Sequence, residues 1–513
     1  MIGLILAVVV SMVAWPVAAS GGDSQADVAT GLEWLHSFEY ERALAAFKRA
    51  EDTNPRNAMA YWGQAMCYEQ LLWGNENVDE ARAILTRMRR NGAYGAASER
   101  DRAWLKTLDA LFGEGDRASR LAAFASAMGE LAARHPDDPD VSAFYGLALM
   151  ATRARGLAGH HGGEQDISQL VGSAEQEQAS QIFARILKGH PKHPGALHYL
   201  IHAWDDPENA HKALDAAHAY AAVVPESSHA RHMPAHVFVQ LGMWNDAIAS
   251  DEAAATAAVA KVATDGLPVT ATDFHPLSWL VYEYTQVGRF SDARRALEPL
   301  QKAADATNDP RLLSLLATLR SRVAIEEENW TALPGPDFVN YDELFAVGLS
   351  AAHRGDLGLA ERARIRLGAL AAQPRYAARR ALLDIMTLQI GAAIRRKNRD
   401  IDGALTLLSE AADKERALPA SIGPPALIKP AQEQYAEMLL DAGRPSDAIA
   451  QFEGALERAR NRRLSRAGLE RAAAAVTGNA TATYLSGSVA GIAGGLMLLL
   501  VVFLVRRGRA RPA

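Results

Sequence analysis

Two neighbouring segments decide the fold: Gly195-Ala-Leu-His-Tyr-Leu-Ile-His-Ala-Trp-Asp-Asp206 and His229-Ala-Arg-His-Met-Pro-Ala-His236. They match one another at an offset of 34 positions. Three residue pairs share this offset: His198 and His232, His202 and His236, and Ala213 and Ala247. One supersecondary unit is therefore used twice in succession.

A period of 34 residues is that of the tetratricopeptide repeat (TPR), a pair of antiparallel helices. The second helix of this repeat reads alanine, a large apolar residue four positions later, alanine three further on, and then proline. The frame fits Ala43/Phe47/Ala50/Pro55, Ala179/Phe183/Ile186/Pro191 and Ala213/Ala217/Tyr220/Pro225. We predict an all-α fold, a TPR-like α-solenoid of helix-turn-helix repeats with a C-terminal transmembrane helix.

A glycine turn precedes each predicted second helix. The pattern Gly-x-aromatic-x-x-Ala recurs, and each copy allows two helices to fold back on one another. Its copies are Gly242/Trp244/Ala247 and Gly288/Phe290/Ala293, with looser ones at Gly355/Leu357/Ala360 and Gly443/Pro445/Ala448.

Composition narrows the class of protein. The chain has 513 residues and a net charge of −6, which argues against a nucleic-acid partner. Its single cysteine, Cys67, cannot form an internal disulfide. Cys67 stands between Met66 and Tyr68, and we expect it to be a buried apolar residue rather than a nucleophile.

The N-terminal residues 1–19 are predicted to be a signal peptide. An apolar run from Leu4 to Val17 ends in Val17-Ala18-Ala19, which suits cleavage after Ala19. The basic residue usual at the start is missing, and an uncleaved anchor is the alternative.

The C-terminal residues 485–505 carry no charge and are long enough to span a bilayer. Arginines follow at once in the tail 506–513, and positive charge stays on the cytoplasmic side. We therefore predict a single-pass protein of the bacterial cytoplasmic membrane, with its repeats on the periplasmic (extracytoplasmic) side. Gly487, Gly491 and Gly495 predict either a homodimer contact or ordinary glycine content. The segment also resembles C-terminal sorting tags that are clipped.

Between these ends we divide the chain at its turns and proline-rich breaks. The predicted parts are 20–170, N-terminal TPR-like repeats; 171–332, central TPR repeats with a histidine-rich groove; 333–476, C-terminal TPR-like repeats; and 477–484, a spacer. We expect the proline-rich stretch Leu418–Pro430 to pack against the repeats rather than to form a loose linker.

Histidines mark the candidate site. His198 and His202 lie one turn apart on one helix face, with Asp205 one turn further. His232 and His236 repeat them, and Pro234 places the start of their helix near His232. Resemblance to TPR solenoids implies that first helices line a concave groove. On that basis the groove holds His198, His202, His229, His232, His236, Asp205 and His275.

Two chemistries fit these histidines. Paired imidazoles with a third nitrogen or a carboxylate are what a divalent transition metal such as zinc, copper or iron needs. The alternative is a groove that uses imidazoles to hold a peptide or an acidic ligand. The His-Glu-x-x-His motif is absent. His160 and His161 are either solvated loop residues or additional members of the cluster.

Glu433 and Glu437 stand 15 and 11 residues before Ala448, the same offsets at which His232 and His236 precede Ala247. They predict either groove carboxylates or a solvated helix face.

Three segments carry a family resemblance: His198-Tyr-Leu-Ile-His-Ala-Trp-Asp205, His232-Met-Pro-Ala-His through Ala247, and Glu433-Gln-Tyr-Ala-Glu-Met-Leu-Leu440. They resemble a largely uncharacterised group of bacterial TPR proteins. The resemblance implies a fold and a shared groove, and it supplies no reaction.

The sequence favours a membrane-anchored extracytoplasmic scaffold that binds a protein or peptide partner in a histidine-lined groove, rather than an enzyme. The alternative is a metal-binding protein or a metal-dependent hydrolase or oxidoreductase, with the histidines as ligands. No Walker-type phosphate loop and no context that marks a nucleophile is present in the sequence.

Overall fold

A computed structural model of the chain describes residues 23–153, 170–331, 333 and 340–486. Helices make up most of this part and are joined by turns. The only strands in the described residues are β1 (Glu69–Gln70) and β2 (Asn75–Glu76), which pair antiparallel with Glu69 opposite Glu76. The predicted all-α class is confirmed.

The structure divides into two compact units. The first contains the described residues up to Tyr284, together with Ser291–Leu312 and Ala420–Pro424. The second contains Thr285–Phe290, Leu313–Pro419 and the described residues from Pro425 onward.

The N-terminal half of the chain supplies the helices of the first unit. They are α1 (Ser24–His36), α2 (Tyr40–Thr53), α3 (Ala58–Met66), α4 (Val78–Arg90), α5 (Ala93–Ala96), α6 (Glu99–Leu111), α7 (Arg117–Arg134), α8 (Pro139–Ala151), α9 (Ala174–Gly189), α10 (Pro194–Ala203), α11 (Leu214–Tyr220), α12 (Ser228–Leu241) and α13 (Trp244–Thr264). Short 3₁₀ helices at Ala210–Ala213 and Val269–Ala271 join them.

The remaining helices follow in chain order. They are α14 (His275–Gln286), α15 (Phe290–Ala296), α16 (Glu298–Thr307), α17 (Pro310–Glu326), α18 (Tyr341–Arg354), α19 (Leu357–Ala371), α20 (Arg380–Lys397), α21 (Ile401–Arg416), α22 (Ala431–Asp441), α23 (Pro445–Arg458) and α24 (Arg463–Ser486). A 3₁₀ helix at Pro374–Arg379 precedes α20.

Consecutive helices pack as antiparallel pairs. In the first unit α1 packs on α2, α8 on α9, and α12 on α13. In the second unit α18 packs on α19, α20 on α21, and α22 on α23. The helix-turn-helix repeats predicted from the 34-residue period are therefore present in each unit.

The predicted glycine turns end the first helix of a pair. Gly242, Gly288, Gly355 and Gly443 all adopt positive φ, at 67°, 75°, 88° and 72°. A residue with a Cβ is disfavoured in this left-handed conformation, whereas glycine adopts it freely. The turn after α12 thus sets the direction in which α13 returns along it.

The repeat frame also fixes how the pairs pack. Phe47 is fully buried, and a Cβ added at Gly63 would lie 2.2 Å from its ring. Phe183 lies against Gly146 in the same way, at 2.4 Å. An aromatic ring of one helix therefore occupies the space that a glycine leaves on a neighbour.

The proline-rich stretch contributes to both cores. Ile422 packs against the core of the first unit, and a Cβ added at Gly423 would lie 2.1 Å from the Trp279 ring. Leu427 and Ile428 are buried in the core of the second unit. Cys67 is also buried, and burial raises the pKa of its thiol, so the nucleophilic thiolate is disfavoured.

The predicted membrane localisation is corrected. Among residues 23–153, 170–331 and 340–486, no helix is long and apolar enough to cross a membrane. The last helix, α24, carries Arg463, Arg466, Glu470 and Arg471 in its first turns, and it continues through the residues expected as a spacer.

Several sequence expectations lie outside the described residues. They are the signal peptide 1–19, His160 and His161, Gly487, Gly491 and Gly495, nearly all of the segment 485–505, and the tail 506–513.

Candidate metal centre

Three helices of the first unit deliver the predicted histidines. Helix α10 carries His198 and His202, α12 carries His229, His232 and His236, and α14 begins at His275. Helix α12 starts four residues before the predicted position, because the Ser227 side chain caps it by accepting from the Ala230 N–H. Pro234 therefore lies inside the helix rather than in its first turn.

The first triad consists of His198, His202 and His229. The Nε2 atoms of His202 and of His229 each lie 3.1 Å from Nε2 of His198. His198 is fully buried, His202 is 5 % exposed, and His229 is half-buried. Three imidazole nitrogens thus converge on one point inside the first unit.

The tautomer of His198 follows from its other nitrogen. Nδ1 lies 2.6 Å from the backbone carbonyl oxygen of His36, which only accepts, so Nδ1 carries the proton. In the neutral ring Nε2 then presents a lone pair toward His202 and His229. One lone pair cannot accept good hydrogen bonds from both rings, so hydrogen bonding does not explain why the three nitrogens lie so close. A tetrahedral metal ion does, because metal–nitrogen bonds of about 2.0–2.1 Å hold its ligand nitrogens roughly 3.3 Å apart, close to the 3.1 Å between the Nε2 atoms.

Aromatic rings enclose the first triad. The Phe38 ring stacks on His202 and His229, with centroids 5.8 and 5.9 Å apart, and meets His198 edge-on at 4.4 Å. The Tyr220 ring stacks on His198, with centroids 5.2 Å apart. Phe38 has φ of 56°, which is unfavourable for a non-glycine residue. Such strain persists where the surroundings impose it, and here it places the ring on the imidazoles.

The second triad consists of His232, His236 and His275. Its three donor atoms lie within 4.8 Å of one another, as do those of the first triad. His232 is 1 % exposed and His236 is 7 % exposed, and the Nε2 of His232 has no hydrogen-bond partner. A buried polar nitrogen without a partner is costly, so this atom points to a ligand.

Acidic side chains contact the Nδ1 atoms of His232 and His236. Nδ1 of His232 donates to Asp251 at 2.6 Å, and Nδ1 of His236 donates to Asp205 at 2.5 Å. Both carboxylates are buried, at 0 % and 3 % exposed. A carboxylate behind an imidazole fixes its tautomer and makes Nε2 a stronger metal ligand, as Asp205 does for His236. At Asp251 burial raises the pKa of the carboxyl group and so opposes the negative charge that this effect needs.

A second layer of contacts orients these groups. The Trp279 ring lies 4.4 Å from the His236 ring and 4.9 Å from the His232 ring. The Gln240 amide donates to Asp205 at 3.3 Å and to the Ser421 carbonyl at 3.0 Å.

Burial keeps four of the six imidazoles in the neutral form. It lowers the pKa of His198, His229 and His232 well below the usual value, and that of His202 to about 3. Neighbouring imidazoles lower these pKa values further, because a charge on one ring opposes a charge on the next. Neutral imidazole is the form that binds metals, so no proton need leave before an ion enters.

A third group, formed by His36, Asp140 and His193, has similar spacing and does not suit a metal. Both nitrogens of His36 have partners at 3.0 Å, the Tyr199 hydroxyl and the Asp140 carboxylate. Nδ1 of His193 accepts from the Ala196 N–H and so caps α10. Nδ1 of His193 is occupied by this cap and its Nε2 lies 3.2 Å from Asp140 Oδ1, so we interpret the group as part of the scaffold that positions α10.

The structure thus brings all six predicted imidazoles together in two triads, while Asp205 supports His236. The four imidazoles of His198, His202, His232 and His236 are buried in the unit and form no open surface.

Glu433 and Glu437 belong to the second unit, where neither forms a simple solvated face. Glu433 is fully buried, and Arg462 donates to both of its oxygens at 2.8 and 3.0 Å. Lys429 Nζ lies 2.9 Å from Glu433 and 2.6 Å from Glu437.

Sequence reasoning missed Asp251, although a signal was available. Asp251 follows Ala247 by four positions and precedes Ala254 by three, so it occupies the large apolar position of the repeat frame. The same position holds Phe47 in the first repeat. A buried acid there predicts a polar partner. Phe38 and the His36 carbonyl carried no such signal, because they reach the site from more than 150 positions away.

No family model matches the chain, and no curated protein matches its sequence. Several solved structures align over most of it at low similarity. Yeast Tom70 aligns at 12 % identity over 89 % of each chain with a TM-score of 0.32. The TPR domain of P58(IPK) aligns at 14 % identity over 89 % of this chain and 99 % of that chain, with a TM-score of 0.24.

The Cut9–Hcn1 hetero-tetramer of APC/C aligns at 12 % identity over 88 % of this chain and 97 % of that chain, with a TM-score of 0.29. Scores this low carry no argument about function. The fold assignment therefore rests on the helix pairs described above.

Proposed function

We propose that the protein binds first-row transition metal ions at the two histidine triads, and that metal binding is its primary function. The observation that carries the proposal is the convergence of three imidazole nitrogens at His198, His202 and His229, where one lone pair faces two further rings at 3.1 Å. The carboxylate–imidazole pair at His236 supports it independently.

The donor set narrows the choice of ion. All six proposed ligands are imidazoles, which suit zinc, copper, nickel and iron and are poor ligands for magnesium or calcium. Each triad supplies three protein ligands, and a site of this kind leaves a coordination position for water or another small ligand. Affinity for divalent ions generally increases toward copper, so copper and zinc are the ions to test first.

The test is the metal content of the full chain purified without a metal-binding tag. We expect close to two ions per chain in the wild type and a loss in the double variant His202→Ala/His236→Ala, which removes one ligand from each triad. The matched control is His190→Ala/His211→Ala, because both imidazoles are exposed. The control should retain the wild-type metal content.

Helix content and thermal unfolding of each variant separate metal loss from misfolding. A folded wild-type protein that holds no first-row metal, even after incubation with zinc or copper, would contradict the proposed metal binding. So would equal metal content in the wild type and in a folded double variant.

A second proposal is that the repeat surface binds a protein or peptide partner. Stacked helix pairs support it, because repeat architectures offer extended binding surfaces. The buried imidazoles would then act inside the scaffold rather than touch the partner. Cross-linking and co-purification with the metal-loaded and the metal-free protein test it, and failure to recover a specific partner from either form would oppose it.

A further inference from the structure

The two triads lie unusually close to one another. The rings of His202, from the first triad, and His236, from the second, have centroids 5.9 Å apart. Separations within a triad run from 4.7 Å, for His232 and His275, to 6.4 Å, for His236 and His275. The His202 and His236 rings are therefore as close to one another as rings within one triad.

Helical repetition explains this closeness. Helices α10 and α12 pack on one another, and each carries its histidine pair at the same position of the 34-residue unit. His229 lies one turn before His232 on α12, but its Nε2 points to His198 of α10. The first triad thus takes ligands from both helices and reaches the second triad along α12.

We infer that the two triads form one dinuclear centre, in which two first-row ions sit side by side. This inference rests on the proposed function and goes beyond it, because two independent mononuclear sites would satisfy the proposed function equally well. The six nitrogens form two sets of three, each with donor atoms within 4.8 Å, which suits two ions rather than one.

Copper(II) electron paramagnetic resonance of the full chain tests the inference, because nearby unpaired spins interact. The first equivalent of copper should give a full spin count. With the second equivalent, the spin count should fall below the copper content or a half-field signal should appear. This titration uses the wild type alone, so it does not depend on whether any variant folds.

Variants supply the comparison. His229→Ala should bind about half the copper of the wild type, with a full spin count and no half-field signal, since only the second triad remains intact. His211→Ala, at an exposed position, should behave as the wild type does.

The outcomes separate the two claims. Two copper ions per chain with a full spin count and no half-field signal would overturn the dinuclear centre and leave the proposed metal binding intact. One copper ion per chain in the wild type would overturn the dinuclear centre and restrict the proposed metal binding to one triad. No bound copper or zinc would contradict the proposed function itself.

Discussion

Asp205 offers the sharpest test of the second triad. Its Oδ2 accepts from Nδ1 of His236 at 2.5 Å, and the carboxylate is 3 % exposed. Asp205→Asn keeps the shape of the side chain and removes its negative charge. The imidazole then loses the partner that fixes its tautomer and strengthens Nε2 as a ligand.

The magnitude follows from comparable outer-layer contacts in metalloproteins. Loss of such a partner weakens metal affinity about 10–100-fold. This corresponds to about 1.4–2.7 kcal/mol of binding free energy. The effect should fall on one of the two ions, because the ligands of the first triad do not contact Asp205 by hydrogen bonding.

The assay is a competition titration of the metal-free protein with zinc and a chromophoric chelator. We expect one of the two zinc dissociation constants to rise in Asp205→Asn and the other to stay as in the wild type. Asp206→Asn is the matched control, because Asp206 is also buried but accepts from the backbone of Glu208 and Asn209. Two unchanged constants in a folded Asp205→Asn would refute the role of this carboxylate.

Three further predictions concern the scaffold. Burial lowers the pKa of His353 to about 4, so this imidazole takes up a proton at a higher pH in the unfolded chain than in the folded one. The free energy of unfolding therefore falls as the pH decreases from about 6.5 to 4. His353→Gln should reduce the slope of unfolding free energy against pH by up to about 1.4 kcal/mol per pH unit. Arg462→Met leaves the buried Glu433 without its bidentate partner and should cost about 3–5 kcal/mol in denaturant unfolding. Gly63→Ala places a methyl group 2.2 Å from the Phe47 ring and should cost about 1–3 kcal/mol in the same assay.

Each of these predictions has a control in the chain. His190→Gln changes an exposed imidazole and should leave the pH slope unaltered. Arg444→Met breaks an exposed pair with Asp447 and should cost at most about 1 kcal/mol. Gly189→Ala meets no atom within 4 Å, so a loss equal to that of Gly63→Ala would contradict the packing argument.

The repeat fold could be predicted because its determinants are local. The 34-residue period, the alanine–aromatic frame and the glycine turns each depend on residues within one helix pair. Gly242 and Gly443 adopt the positive φ that such turns require. Pro234 predicts the start of α12 near His232, four residues too late, because the Ser227 side chain caps the helix at Ser228.

The histidine clusters could be predicted in part, for the same reason. The repeat put His198 and His232 at equivalent positions, and the structure brings them into adjacent triads. It did not reveal that the imidazoles are buried, because burial depends on residues distant in the chain. Phe38 and the His36 carbonyl come from the first helix pair, and Trp279 comes from α14.

The membrane localisation was predicted from hydropathy and charge at the two ends of the chain. The described helices include none that could cross a membrane. The last of them, α24, begins with Arg463 and Arg466 and has an alanine-rich middle. That composition suits a helix of the repeat scaffold.

The most direct test of the central claim is anomalous X-ray diffraction from crystals of the zinc-loaded and the copper-loaded protein at the corresponding absorption edges. We expect two anomalous peaks in the first unit, each with three imidazole nitrogens at about 2.0–2.1 Å. One peak should lie at His198, His202 and His229, and the other at His232, His236 and His275. Peaks confined to exposed histidines, or an absence of peaks at both triads, would contradict it.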